Sequence, residues 1–386
     1  MPQTPTDLSS VRQPIGTANG LPNAHYIDAN VHEEENQALL MNEWAGLAVA
    51  ADVPTPGDAV PLTFLGMPLL LLRDRDGVVR VFQNTCRHRG MILVEEPRKL
   101  EGAIRCPYHS WCYSTKGDLV STPHVGGPGQ NQAEGIERST LGLVEIRSHI
   151  WLDVVWVNIS GTAAPFEDAN ADLLTRWAEF DKSLYHGGAD SAFSLEVACN
   201  WKLAIENYCE SYHLPWIHPG LNSYSRLEDH YHIEQSGKFS GQGTLVYRQM
   251  TDKDAPAFQD FDGLSDKWDT AAEYVSFYPN VLLGVHRDHT FVIILVPQDT
   301  GHTVENVHIY YAHPDTSDDM RTKNTELWKG VFREDIFVVE GMQRGRHAPL
   351  FDGGRFSPVM DGPTHMFHDW VAQRMQAWRS QAQAAQ

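Results

Sequence analysis

The sequence predicts an α+β protein of two domains, a small and mostly β domain followed by a larger one that mixes sheet and helix. Three observations predict it. At 386 residues the chain exceeds the size at which one core usually keeps growing, and a hydrophobic content of 42% is ample for two. Short β-rich runs separated by turn residues fill positions 45–160. A composition shift then begins at Gly161, where GTAAPFEDANADLL reads as a linker passing into a region of helices and longer strand candidates.

Taken in order, the opening MPQTPTDLSSVRQPIG lacks the basic start and apolar core of a secretory signal and reads as a mobile polar arm. Val31 to about Ala50 reads as a short helix, so residues 1–44 are expected to form an arm and helix leading into the first domain. Within the first domain, 45–160, RDRDG places a hairpin turn at Asp74–Gly77, and YSTKGDLVS places another at Tyr113–Ser121. The strand-like LGLVEIRSHIWLDVVWVNIS closes the domain near Ser160. The second domain, 161–386, starts with a helix carrying Trp177 and continues with a central helix from about Trp201. Its strand candidates are Gly243–Gln249, Tyr274–Leu283, Phe291–Val296 and Val304–Ala312, and two helices end the chain. No internal repeat or low-complexity block interrupts this α+β pattern.

The formal net charge of −20 argues against a nucleic-acid or anionic-membrane surface. The longest apolar runs, Pro68–Leu72 and Phe291–Pro297, are strand-sized, so no spanning helix is expected and the reading is a cytoplasmic protein. Five cysteines in so long a chain make no disulfide framework. In a reducing compartment, clustered ones are better read as metal ligands.

The cysteines do cluster. Cys86-Arg-His88 is followed, after 17 residues, by Cys106-Pro-Tyr-His109, each half supplying one cysteine and one histidine from a tight loop. A Cys2His2 set can hold a tetrahedral zinc. Alternatively, two thiolates hold one iron and two imidazoles the other iron of a [2Fe–2S] cluster, the Rieske arrangement. Finger-type zinc sites pair Cys with Cys and His with His, whereas here each loop is mixed, which favours the cluster.

A second constellation lies in Asn200–Gly220, NWKLAIENYCESYHLPWIHPG. Read as one helix, it puts Glu206, Glu210 and His213 on one side. His213 and His218 are five residues apart, which on an unbroken helix would turn the second ring roughly 140° from the first. Pro215 forbids simple continuation, so both imidazoles can converge on one metal ion. A third ligand must come from elsewhere.

C-R-H-x17-C-P-Y-H-S-W together with ENYCESYHLPWIHPG resembles the catalytic α subunit of Rieske non-haem iron oxygenases, over nearly the whole chain. The resemblance implies an all-β Rieske [2Fe-2S] domain followed by a helix-grip catalytic domain, an α+β fold with an antiparallel sheet. It implies Cys86, His88, Cys106 and His109 as cluster ligands, and His213 and His218 as ligands of a mononuclear Fe(II). A facial triad needs one carboxylate more. The family's late E-D-x4-E-x2-Q helix is matched by Glu334-Asp335 through Glu340 and Gln343, with Asp335 at the ligand position. Glu334 would then point roughly 100° away around the helix, and Glu340 is expected to pair with Arg344. In the family, a carboxylate just before the first iron histidine joins it to a cluster histidine of the neighbouring subunit. Glu210 holds that place, linking His213 to His109 of an adjacent protomer, and Asn207, with Tyr212, matches a neighbouring family position, which makes Asn207 a catalytic candidate with a capping or core-packing role as the alternative.

The same resemblance implies a homotrimer with inter-subunit electron transfer, and O2 acting on a small organic substrate. Electrons are expected from NAD(P)H through a separate reductase of flavin or ferredoxin type, since no nicotinamide fingerprint precedes a helix here. Glutamate at position 210, where aromatic-ring dioxygenases usually carry aspartate, is similar to the branch acting on choline, carnitine and glycine betaine. Aromatic hydroxylation or O-demethylation is the alternative substrate reading. Tyr274–Asn280 and Trp216 are candidate aromatic contacts for a quaternary ammonium. His286, Asp288 and His289 in VHRDHT read as a solvated polar turn rather than a pocket mouth. An electron-carrier or binding module without oxygenase activity is the competing class. The carriers of respiratory chains brace the cluster with a disulfide between extra loop cysteines, absent here, which leaves Cys112 as a packed thiol.

Overall fold

The computed structural model describes residues 7–234, 237–249 and 257–384. The chain forms two compact units, one of residues 47–162 and one of residues 1–46 with 163–386.

The first unit is mostly β, with two short 3-10 turns at Ala50–Asp52 and Arg138–Thr140. A seven-stranded sheet runs in the order β1-β10-β9-β4-β3-β2-β5, where β1 is Ala45–Val49, β2 Asp58–Phe64, β3 Met67–Arg73, β4 Val79–Gln83, β5 Arg98–Lys99, β9 Glu145–Trp151 and β10 Val154–Asn158. Beside it lies a three-stranded sheet of β6 (Ala103–Arg105), β7 (Cys112–Ser114) and β8 (Leu119–Ser121). Both expected hairpins form. Asp74 closes the first by accepting the amides of Asp76 and Val78, each at 2.9 Å, while Gly77 takes the positive φ of 85° that the turn demands. The β1 strand corrects the expected helix, which ends at Met41 after Ala29–Glu35 and a π-turn. Every side chain of β1 is buried, so the segment has no polar stripe from which periodicity separates strand from helix.

The second unit is built on eight strands, β11 Tyr185–His186, β12 Ala192–Val197, β13 His230–Ile233, β14 Phe239–Thr244, β15 Ala272–Phe277, β16 Val281–Val285, β17 His289–Pro297 and β18 Thr303–Tyr311. Their order is β11-β18-β17-β16-β15-β14-β13, with β12 also on β18, and all pairings are antiparallel. The expected strand Tyr274–Leu283 is therefore a hairpin of two strands, and Gly243–Gln249 is displaced to β14. Against the sheet lie the central helix Trp201–Tyr208, the long helix Asp318–Gly345 and the C-terminal helix Gly362–Ala384. No helix among the described residues is long and apolar enough to cross a membrane.

The central helix is only eight residues, yet seven are buried, including Lys202 and Glu206. Asn200 caps it, its side chain accepting the Lys202 amide. The Lys202 ammonium donates to Glu35 at 2.6 Å and to Asn200 Oδ1 at 2.8 Å. Glu206 receives the Tyr26 hydroxyl at 2.5 Å and pairs with Arg346 at 3.4 Å and His368 at 3.2 Å. Burial alone would raise the Glu206 pKa, but His368, Arg346 and Tyr26 outweigh it and hold the group below its ordinary value.

The polar arm is corrected from Leu8 onward, residues 1–6 lying outside the described residues. Leu8 and Val11 are buried in the core of the second unit together with Trp370 and Met375 of the C-terminal helix. Arg12 pairs with Asp369 at 3.1 Å, and the Leu21 amide donates to His368 Nδ1 at 2.9 Å. Two apolar side chains in a polar stretch carry no periodicity, and their partners lie more than 350 residues away. Leu8→Ala is expected to cost about 2–4 kcal/mol in urea denaturation, the usual loss for a buried leucine; a change under about 0.5 kcal/mol would mean that the arm does not hold the fold.

Candidate metal centres and substrate cavity

In the first unit the two cysteine–histidine loops are built alike. The Cys86 amide donates to Met91 O and the Gly90 amide returns to Cys86 O; the Cys106 amide donates to Trp111 O and the Ser110 amide returns to Cys106 O. Gly90 and Ser110, each four residues after its cysteine, take positive φ values of 73° and 57°. This tight turn brings both histidines round beside their cysteines. Cys86 and Cys106 are buried and unbridged, while His88 and His109 lie exposed with ring centroids 4.9 Å apart. Trp111 stacks on His88 at 4.8 Å, and the Tyr113 hydroxyl sits 3.2 Å from the Cys86 sulfur. Burial and the nearby Cys106 push the Cys86 thiol pKa up, against the lowering effect of Tyr113. Two buried thiols beside two imidazoles that reach solvent suit a cluster with thiolates on its inner side and histidines at the tip. Cys112 is buried in β7, outside this group.

In the second unit the central helix stops at Tyr208, so Glu206, Glu210 and His213 do not share one helix face as expected. Glu206 turns into the ionic cluster described above. Glu210 instead organises the following turn: its carboxylate accepts the amides of Tyr212 and His213 and, at 2.7 Å, His213 Nδ1. A short helix, Leu214–Ile217, then starts with Pro215 in its first turn, where a missing N–H leaves no bond unmade. That turn delivers His218 beside His213, their ring centroids 5.1 Å apart.

Asp335, on the long helix, completes a cluster in which one ligand atom from each of His213, His218 and Asp335 lies within 4.8 Å of the others. Asp335 Oδ1 is 3.1 Å from His218 Nε2 and 3.7 Å from His213 Nε2. Glu334, expected to point away, accepts from His218 Nδ1 at 2.8 Å. Each histidine thus has Nδ1 tied to a carboxylate and Nε2 turned to Asp335, the orientation a metal-binding imidazole needs. The donor set, two neutral nitrogens and one carboxylate on one side, fits a facial Fe(II) site. Burial works against protonation of His218, but Asp335 and Glu334 outweigh it and raise its pKa above the ordinary value. Glu340 accepts from the Ala198 amide at 3.1 Å, and Gln343 is bonded to Asn200, Tyr26 and Thr300, so both pin the long helix in place.

A cavity with about 650 Å³ free of protein atoms, part of it open to solvent, adjoins all three clustered residues and Asn207. Its other walls are largely aromatic, with Tyr224, Tyr247, Tyr274, Phe291, Trp328 and Phe332. A polar patch of Ser225, His230, Gln242 and Thr244 is internally bonded: Ser225 Oγ meets His230 Nε2 at 3.0 Å and Thr244 Oγ1 at 2.6 Å, and His230 Nδ1 meets Gln242. Of the aromatic candidates read from sequence, Tyr274 lines the cavity. Trp216 is 69% exposed and does not line it, and Tyr278 packs on Phe367 and Trp370. Tyr224, Tyr247 and Trp328 were missed because they come from three separate segments, with only tertiary packing to collect them.

A smaller cavity behind Asp335 and Asn207 is lined by Glu305 of β18. Burial, with the negative charge of Asp335, pushes the Glu305 carboxyl up to about 8 from an ordinary value near 4.5. The folded protein therefore keeps a proton that the unfolded chain releases between those pH values, and this group lowers stability as pH rises through the window. In chelated protein, Glu305→Gln is expected to gain stability over wild type as pH rises from 5 to 8, by up to about 4 kcal/mol from a limiting slope of about 1.4 kcal/mol per pH unit. Equal denaturant midpoints for the pair at both pH values would refute it.

Residues 185–377 match the family of the ring hydroxylating alpha subunit (catalytic domain), and residues 43–134 match the Rieske [2Fe-2S] domain. The chain is 27% identical to the carnitine monooxygenase oxygenase subunit of Escherichia coli K12, over 92% of this chain and 93% of that one. It is 24% identical to the chloroplastic choline monooxygenase of Arabidopsis thaliana, over 92% and 82%. Its fold matches the crystal structure of a quaternary ammonium Rieske monooxygenase in complex with L-carnitine, with a TM-score of 0.79 and 23% identity over 97% and 100% of the two chains. Naphthalene 1,2-dioxygenase from Rhodococcus sp. follows with a TM-score of 0.72, 19% identity and coverage of 92% and 94%.

Proposed function

The chain belongs to the family of ring-hydroxylating oxygenase alpha subunits with a Rieske domain, and we propose that its substrate is a quaternary or methylated amine held in the aromatic cavity. It is the terminal oxygenase of a multicomponent Rieske oxygenase, and its cofactors are a Rieske [2Fe-2S] cluster and a mononuclear iron. As an oxygenase subunit it works with a separate reductase. In this reading Cys86, Cys106, His88 and His109 hold the cluster, and His213, His218 and Asp335 hold the iron, which when bound supplies the O2 chemistry.

The observation that carries the substrate reading is the cavity wall. It adjoins the three clustered residues, presents Tyr224, Tyr247, Tyr274 and Trp328, and contains neither lysine nor arginine among the described lining residues. Aromatic faces attract a methylated ammonium through the ring quadrupole. An anionic aromatic acid would find no lysine or arginine to pair with among these lining residues. Carnitine and choline monooxygenases among the relatives act in the same sense.

Glu210 and Glu334 fix the tautomers of His213 and His218, and Asn207 faces the cavity from the central helix. Glu210 serves in addition as the bridge to a cluster histidine of a neighbouring subunit in a homotrimer. Exposure of His88 and His109 on their unit supports that bridge, since rings at a surface can be met by another chain. A solved relative of the same fold is described with inter-subunit electron transfer.

Single-turnover assays of pre-reduced holoprotein with O2 test the reading. Glycine betaine, choline and carnitine are set beside benzoate-like and methoxylated aromatics, with formaldehyde, aldehydes and hydroxylated products assayed. Product from an amine is expected; product only from an aromatic retires the amine reading and keeps the oxygenase. His213→Ala is expected to keep the visible spectrum of the cluster and lose turnover at least about 100-fold, whereas coupled turnover near wild type would remove His213 from the iron. Glu210→Ala, at saturating iron, is expected to slow cluster reoxidation about 10–100-fold, the range typical of lost outer-shell partners. Unchanged reoxidation would end the bridge assignment.

A further inference from the structure

The VHRDHT segment is not a solvated turn. His286 and Asp288 have no solvent exposure and His289 is nearly as deep, all three at the β16–β17 hairpin. Their hydrogen bonds run to the back of the cavity wall. The Tyr247 hydroxyl donates to both oxygens of Asp288, at 2.9 and 3.0 Å. His289 Nδ1 meets Asp288 Oδ1 at 2.7 Å, and the Trp328 indole N–H donates to His289 Nε2 at 2.8 Å. An indole can only donate, so His289 Nε2 is the acceptor and the ring proton sits on Nδ1, facing Asp288. Every group in the chain of bonds therefore donates toward Asp288, and the carboxylate needs no proton of its own. His286 stacks on His289 at 4.2 Å with planes 7° apart, and burial together with His289 holds its pKa well below the ordinary value, so it adds no positive charge. Arg287, the next residue in sequence, pairs with Asp260 and, at 3.6 Å, with Asp269.

We propose that Asp288 is the specificity-determining counter-charge of the cavity, acting through Tyr247 and through His289 to Trp328 so that their rings attract a cationic headgroup. Tyr247 and Trp328 line the cavity, and both spend their polar hydrogen on this one network. A phenol that donates to a carboxylate, and an indole that donates into a carboxylate-bound imidazole, carry more electron density on their faces, and cation–π attraction rises with it. The full negative charge lies one side chain behind the surface the substrate touches, in surroundings that screen it far less than water does. Asp288 makes no contact with substrate; it is a positioning and polarising residue. The proposal rests on the amine reading above, and goes beyond it by naming the group that distinguishes a cation from an uncharged molecule of the same shape.

The test is calorimetric titration of anaerobic holoprotein with two probes, choline and its uncharged carbon isostere 3,3-dimethylbutan-1-ol. Wild type is expected to bind choline more tightly. Asp288→Asn, which keeps the side-chain shape, is expected to weaken choline about tenfold and to leave the isostere within twofold. Tyr247→Phe, measured in parallel so that the test stands if Asp288→Asn does not fold, keeps the ring and deletes the donor; a selective loss of choline of about threefold is expected. Equal loss of both probes would show a merely structural role and overturn the proposal, as would a choline preference that survives both substitutions. Wild type that binds neither probe, or prefers the isostere, overturns the proposal, and the single-turnover assay above shows whether the amine reading falls with it.

Discussion

The geometry of the second unit depends on the buried carboxylate of Glu206. It ties Tyr26 from the N-terminal segment, Arg346 at the end of the long helix and His368 of the C-terminal helix to the eight-residue central helix. A helix of two turns has no stability of its own, so its position is set by what it is bonded to. An unpaired charge at this depth is costly enough that Glu206 and its three partners must meet. Lys202 repeats the device one turn earlier with Glu35, which in turn holds His25 at 2.7 Å. Together these pairs place the end of the central helix, and hence the turn of Glu210, His213 and His218, against the long helix that bears Asp335.

The iron site follows from that placement. A residue pattern alone puts two histidines and a carboxylate in one chain; the carboxylates behind them decide which nitrogens face inward. Glu210 and Glu334 make the same bond from opposite directions, one from the adjoining turn and one from the neighbouring helix. The cluster loops use backbone rather than carboxylates. Their paired amide–carbonyl bonds and left-handed fifth residues hold cysteine in and histidine out, which leaves the histidines where another chain can meet them.

The cavity joins a polar patch to an aromatic wall, and the wall is backed by buried polar groups. Tyr247, Trp328 and His289 converge on Asp288, while Ser225, His230, Gln242 and Thr244 satisfy one another. Saturating each polar group from behind leaves the ring faces as the surface that a substrate meets. The exposed Arg248 stacks on Tyr224 at 4.6 Å and is not among the lining residues.

Local chemistry was legible in the sequence. Paired Cys and His in two turn-forming loops, a proline between two histidines, and hairpin turns built on Asp-x-x-Gly and Ser-x-x-Gly are all decided by residues within a few positions of one another, where covalent geometry and backbone sterics act directly. The two-domain α+β plan was legible for the same reason, through composition and strand-length apolar runs. Tertiary structure alone decided the rest. The arm's Leu8 and Val11 are core because a helix more than 350 residues later offers them a surface. Glu334 binds His218, though the helical wheel turned it away, because the second ring lies beside the helix rather than in front of it. Asp288 is buried rather than solvated because Tyr247, from a distant segment, donates to it directly and Trp328, from another, fixes His289 so that its Nδ1 proton faces the carboxylate. Burial and hydrogen-bond partnership belong to pairs of segments, and no property of one segment by itself contains them.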